Sequence, residues 1–108
     1  MASVTDNDFT QVLISDLPWR PSLFAQGVSV KDVALTDGFE MQLVRFEPGA
    51  SFPLHEHKGP EFIFIIEGEL IQAGRRLTSG WASAARAGAV DENVHSETGC
   101  TFLLVDRA

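Results

Sequence analysis

Glycine, proline and aspartate interrupt this chain so often that no stretch between them is long enough for a stable amphipathic helix. What remains is a series of short apolar runs with the length and alternation of β-strands. Val28 to Leu35 reads as one strand, with Val28, Val30 and Val33 as inward candidates, and Thr36-Asp37-Gly38 supplies the turn out of it. Phe39 to Phe46 alternates Gln42, Val44 and Phe46 with Met41, Leu43 and Arg45 before Glu47-Pro48-Gly49 ends it. Ser51 to His57, Glu61 to Glu67, Leu70 to Gln72, Arg76 to Thr78, Trp81 to Ala85 and Thr101 to Val105 follow, and a short strand over Gln11 to Ile14 precedes them. The Ala-rich Trp81 to Arg86 has some helical character, but Gly80 and Gly88 leave it too short. Many short strands in one small unit predict an all-β fold, a small antiparallel β-barrel or jelly roll.

A length of 108 residues accommodates one domain. Residues 1–10 are small, polar and acidic and are expected to be poorly ordered, leaving 11–108 as the barrel. No apolar run approaches the roughly 20 residues of a membrane span, and Met1 to Ala25 lacks a basic, apolar leader, so the cytoplasm is the expected compartment. Fifteen acidic against eight basic residues give a net charge of −7. Such a surface repels phosphate backbones and anionic lipid, so neither nucleic acid nor membrane is an expected partner. The basic pair Arg75-Arg76 beside Gly74 reads as a solvated hairpin tip. The single Cys100 cannot form an internal disulfide and reads as a small buried hydrophobe.

The segment from Gly49 to Gly68 carries the chemistry. Residues two apart on a strand share a face, so His55 and His57 aim their imidazoles together. The Lys58-Gly59-Pro60 turn then reverses the chain and lets Glu61 return a carboxylate to the same side. Two nitrogens and an oxygen so placed suit a divalent ion. Serines 79, 83 and 96 lack the surroundings of an activated nucleophile, which argues against a serine hydrolase.

The spacing Gly49, five residues, His55, His57, three residues, Glu61, six residues, Gly68 resembles the first motif of the cupin superfamily at every fixed position. The second motif fits less well. Gly80 and Gly88 follow its spacing, but Arg86 stands where proline is usual and Asp91 where histidine is expected, with His95 four residues later. The resemblance implies a metal held by His55, His57, Glu61 and a fourth ligand. His95 is favoured for that place as the remaining histidine, Asp91 is the alternative, and a site with neither stays open. One divalent transition metal per chain is implied, with iron, zinc, manganese, nickel and copper not distinguished.

Leu43 to Gly49 and His95 to Val105 resemble the branch of the superfamily that holds the C-terminal domain of an anti-sigma factor and small dioxygenases cleaving diketones or acetophenones. That likeness implies a pocket beside the metal, for which Gln42, Phe46, Phe52, Phe64, Trp81 and Phe102 are wall candidates. A metal-dependent oxygenase acting on a small oxygenated molecule is the leading expectation. A metal or small-molecule sensor without turnover is the second, and a purely structural metal the third. Phe62, Phe64 and Ile66 face away from the metal side of their strand and need a cover, either the segment Val12 to Ile14 or a second subunit. Cupins are commonly dimers, so a homodimer is expected.

Overall fold

The computed structural model describes residues 3–6, 8–53 and 55–108, with residues 3–6, 55, 56 and 91 as backbone only. Eleven strands and one short 3-10 helix, Ile14–Asp16, are found among them, and every strand pairing is antiparallel. The main sheet runs β3 (Arg20–Pro21), β4 (Val28–Thr36), β5 (Phe39–Phe46), β11 (Cys100–Arg107), β7 (Glu61–Gln72), β8 (Arg75–Thr78), with β9 (Ala82–Ala85) pairing the first half of β7. Two small sheets complete the fold: the hairpin of β1 (Ser3–Asp6) and β2 (Phe9–Val12), and the pair of β6 (His55–Glu56) with β10 (Val90–Asp91). This is an all-β barrel of the expected kind. Among the described residues no helix is long and apolar enough to cross a membrane.

Closure of the barrel depends on β7. Its first half lies between β11 and β9, whereas Glu69 to Gln72 pairs with β8. The change of direction falls at Gly68, whose φ of 76° suits glycine and whose missing side chain would collide with the carbonyl of Gly99. Two hairpins turn on residue pairs with positive φ, Asp37-Gly38 and Ala73-Gly74, the geometry that matches strand twist in a two-residue loop.

The inward faces form rows across the sheet. Val28, Phe46 and Cys100 share the bottom row, and Val30, Val44, Phe102 and Ile65 the next. Asp32, Gln42, Leu104, Ile63 and Ser83 form the third, and Glu40, Asp106, Glu61 and Ala85 the fourth. The barrel is thus apolar at one end and acidic at the other. Phe46 is the centre of the apolar end, edge-on to Phe52 at 5.3 Å and tilted against Phe102 at 5.6 Å. Cys100 is buried there, and burial pushes its thiol up to about 11, which leaves it an unreactive packing residue at neutral pH.

Several segments differ from the sequence reading. β4, β5, β8, β9 and β11 fall within two residues of their expected bounds, but among the described residues of Ser51 to His57 only His55–Glu56 is strand, and Val90–Asp91 was not anticipated. The strand expected over Gln11 to Ile14 lies earlier, at Phe9–Val12, and residues 3–6 pair with it, inside the stretch expected to lack order; residues 1, 2 and 7 are outside the described residues. Val33 sits at a register shift between Asp32 and Ala34 and is only partly buried.

Arg76 is not a free hairpin tip. It reaches Glu69 at 3.1 Å and Glu97 at 3.1 Å. Glu69 is itself buried and ties down the 96–99 loop: its Oε1 accepts from the Glu97 N–H (2.8 Å), the Thr98 N–H (2.9 Å) and the Thr98 hydroxyl (3.1 Å). Burial alone pushes this carboxyl up, but those donors and Arg76 outweigh it and hold it below the usual carboxylate range.

On the outside of the sheet the N-terminal segment covers β4 and β5. Lys31 Nζ donates to the Ile14 carbonyl at 3.1 Å, and the Trp19 ring lies 4.1 Å from the Arg45 guanidinium. The outer face of β7 lies beyond this cover, and Phe62, Phe64 and Ile66 are each close to half exposed.

Candidate metal and ligand site

The acidic end of the barrel opens into a cavity of about 470 Å³. Its apolar lining comes mainly from Phe52, Ile63, Leu70, Val94, Phe102 and Leu104, with Phe24 at the mouth. Polar groups at the rim and sides are Arg20, Glu40, Gln42, Glu61, Gln72 and Asp106. A concave apolar chamber with a few convergent polar groups is the usual form of a small-molecule site.

Glu61 heads β7 at the rim, and His57 follows directly on β6. The His57 N–H bonds the Ala89 carbonyl and its own carbonyl accepts from Gly88, so the chain after β6 is pinned to the loop that leads into β10. These bonds bring the His57 Nδ1 to 3.2 Å from the Glu61 Oε2, with side chains 5% and 11% exposed. Two donors bound to one zinc or iron ion at about 2.0–2.2 Å stand about 3.0–3.4 Å from each other, so this pair has the separation a shared ion requires. A neutral imidazole and a carboxylate are also the donor types a borderline divalent ion takes.

His55 is described as backbone only, and its register partner on β10 is Asp91, likewise backbone only. Among the described residues there is accordingly no group of three or more histidine, cysteine or acidic side chains arranged around an ion. Residues directly opposite in an antiparallel pair share a face of the sheet, so the ladder sets position 91 beside position 55. The structure does not bring His95 to the cavity wall. Its neighbours Val94 and Ser96 are buried, Val94 lines the cavity, and the His95 Nδ1 lies 2.8 Å from the Asn93 carbonyl.

Of the expected wall residues, Gln42, Phe52 and Phe102 line the cavity, and Phe46 lies beneath them in the core. Phe64 points to the outer face of β7, and Trp81, 55% exposed beside the β8–β9 turn, is not part of the wall. Alternation explains Phe64: Ile63 and Ile65 take the inward positions on either side of it.

Sequence reasoning did not single out Glu40, Asp106, Asp32 or Arg20. Period-two extension of β5 and β11 from Gln42 and Leu104 reaches Glu40 and Asp106, but only the register shows that these two meet and that Asp106 also faces Glu61. Burial, a hydrogen bond with Glu40 and the nearby charges of Glu40 and Glu61 push the Asp106 carboxyl up to about 7, against the opposing pull of His57. Beside this pair, Arg20 binds Asp32 through two nitrogens at 2.6 and 2.8 Å, and Gln42 Nε2 donates to the same carboxylate at 3.0 Å. The Arg20 hydrogen bonds hold Asp32 below the usual carboxylate range, with a smaller contribution from Gln42.

The sequence profile of the ChrR cupin-like domain matches residues 7–108. No curated protein matches the chain in sequence. Solved structures with the same fold include a protein of Methylibium petroleiphilum provisionally assigned as an acetylacetone dioxygenase, at 17% identity and a TM-score of 0.86 over 97% of this chain and 81% of that one. The acetylacetone dioxygenase of Acinetobacter johnsonii is similar at 15% identity and a TM-score of 0.79, covering 96% and 76%. The complex of Rhodobacter sphaeroides SigE with the anti-sigma ChrR contains a chain similar at 22% identity and a TM-score of 0.73, covering 87% of this chain and 50% of that one.

Proposed function

The chain belongs to the ChrR cupin-like domain family, and from that premise we propose that it is a metal-dependent enzyme of the oxygenase type acting on a small oxygenated organic molecule. His55, His57, Glu61 and Asp91 are the proposed ligands of one divalent transition metal. The observation that carries the reading is the His57–Glu61 pair, its donors 3.2 Å apart, with Glu61 on the wall of an apolar-floored cavity. Asp91 is preferred to His95 for the fourth place because the β6–β10 register sets it opposite His55.

An ion bound there would supply Lewis-acid chemistry and, if it were iron, redox chemistry. The protein's own part is positional. Phe52, Ile63, Leu70, Phe102 and Leu104 hold the apolar body of the molecule and keep water from it, while the rim side chains orient its polar end beside Glu61. The likeness to acetylacetone dioxygenases supports this choice of activity. A second reading, sensing of a metal or small molecule without turnover, takes its support from the likeness to the anti-sigma ChrR complex.

Metal analysis and oxygen uptake test the proposal together. Protein carrying about one ion per chain should consume oxygen with at least one member of a panel of diketones and hydroxylated aromatic ketones. Metal-loaded protein that binds members of the panel without uptake would favour the sensor, and protein that takes up no divalent ion would end both readings. A homodimer is also proposed, formed through the apolar outer face at Phe62, Phe64 and Ile66.

A further inference from the structure

The geometry points to a ligand that donates hydrogen bonds at one end: the cavity is built for a small apolar body carrying a hydroxyl or amine on the β5–β11 side. This inference rests on the reading of the cavity as the ligand site and narrows the class of molecule it takes.

On the β5–β11 side the polar groups of the wall, Glu40, Gln42 and Asp106, present acceptors. Arg20, the lining cation, directs three of its five N–H groups away from the cavity's far wall, two to Asp32 and one to the Pro21 carbonyl at 3.4 Å. Gln42 can be oriented without ambiguity, because an ionised carboxylate only accepts, so the nitrogen of the amide must be the atom 3.0 Å from Asp32. Asp32 on β4 and Leu104 on β11 are the register neighbours of Gln42 on its two sides. A nitrogen turned to Asp32 therefore turns the oxygen toward Leu104 and the cavity.

Next to it, Asp106 Oδ1 is buried with no hydrogen-bond partner among the described residues. The other oxygen makes the hydrogen bond with Glu40, and a proton held in that contact leaves Oδ1 with lone pairs only. Glu40 and Glu61 flank it and add only acceptors. Across the cavity Gln72 takes the Ser83 hydroxyl on Oε1 at 2.6 Å, which leaves its amide nitrogen as a donor on the far wall. A ligand with a donor at one end therefore meets Gln42 and Asp106, and a buried acceptor left without a partner penalises any molecule that lacks one.

The probes are benzyl alcohol and its methyl ether, which share an apolar body and differ in the donor. Their dissociation constants are read from amide shifts in 15N-labelled protein, in the wild type and in Gln42→Met, on samples whose metal content is assayed. Wild type should bind the alcohol at least tenfold more tightly, and Gln42→Met should narrow that preference to within about threefold while changing ether affinity little. Equal affinities in the wild type, no shift of cavity-lining amides with either probe, or an undiminished preference in a folded Gln42→Met overturns the inference. If that variant does not fold, the wild-type comparison decides. Protein that takes up no divalent ion yet keeps the preference refutes the metal proposal and not this one. Metal-loaded protein without the preference does the reverse.

Discussion

The imidazole of His57 and the carboxylate of Glu61 meet at 3.2 Å across the Lys58-Gly59-Pro60 turn, both almost wholly withdrawn from solvent. Few residues separate them in sequence, yet the approach is made by two backbone hydrogen bonds that tie His57 to Gly88 and Ala89.

If an ion joins the pair, losing either donor removes most of the affinity. His57→Ala and Glu61→Gln should each reduce bound divalent metal from about one per chain to less than a tenth of that, measured by elemental analysis after dialysis against trace metal. Retention of full occupancy in both variants is incompatible with a site at these residues.

The fourth ligand is separable by two substitutions. Asp91→Asn should weaken metal binding at least tenfold, whereas His95→Ala should leave it within about twofold, because His95 pairs with Ile71, while Leu70 and Gln72 on either side of Ile71 take the cavity-facing positions. Competition with a chromogenic chelator distinguishes them, and the opposite ranking would return the fourth corner to His95.

Glu69 makes stability depend on pH. Its folded-state value is depressed below the usual 4.5 or so, so its contribution is present above that value and is lost as pH falls through the folded-state value. Glu69→Gln should lower unfolding free energy by about 2 kcal/mol at pH 7, the scale of hydrogen bonds to a charged group. The gap between variant and wild type should close as denaturation is repeated at pH 4 and below.

Gly68→Ala introduces a methyl group against the Gly99 carbonyl at a backbone angle L-residues rarely adopt. A loss of about 3 kcal/mol is expected from steric overlap and left-handed strain combined. Urea denaturation measures it, and a loss below about 1 kcal/mol would show that β7 does not need glycine at its bend.

Phe64→Glu places a charge in the middle of the exposed apolar face of β7. Light scattering at micromolar concentration should report a dimer for the wild type and a monomer for the variant, with the far-ultraviolet circular dichroism unchanged. A monomeric wild type removes the face from consideration as a subunit contact.

What the sequence determined by itself was local. Period-two alternation located β4, β5 and β11 to within about two residues, because a strand with one face in the core must write that face into its residues. The spacing of His55, His57 and Glu61 set three candidate donors on either side of one tight turn. Tertiary structure decided what depends on register between strands far apart in sequence. It set Glu40 and Glu61 on either side of Asp106, Asp91 opposite His55, and Arg76 on the buried Glu69. A charged residue at a strand end looks solvated in one dimension. Only closure of the barrel, with β7 bent at Gly68 between two partners, turned one end of the sheet into an enclosed acidic rim over an apolar floor.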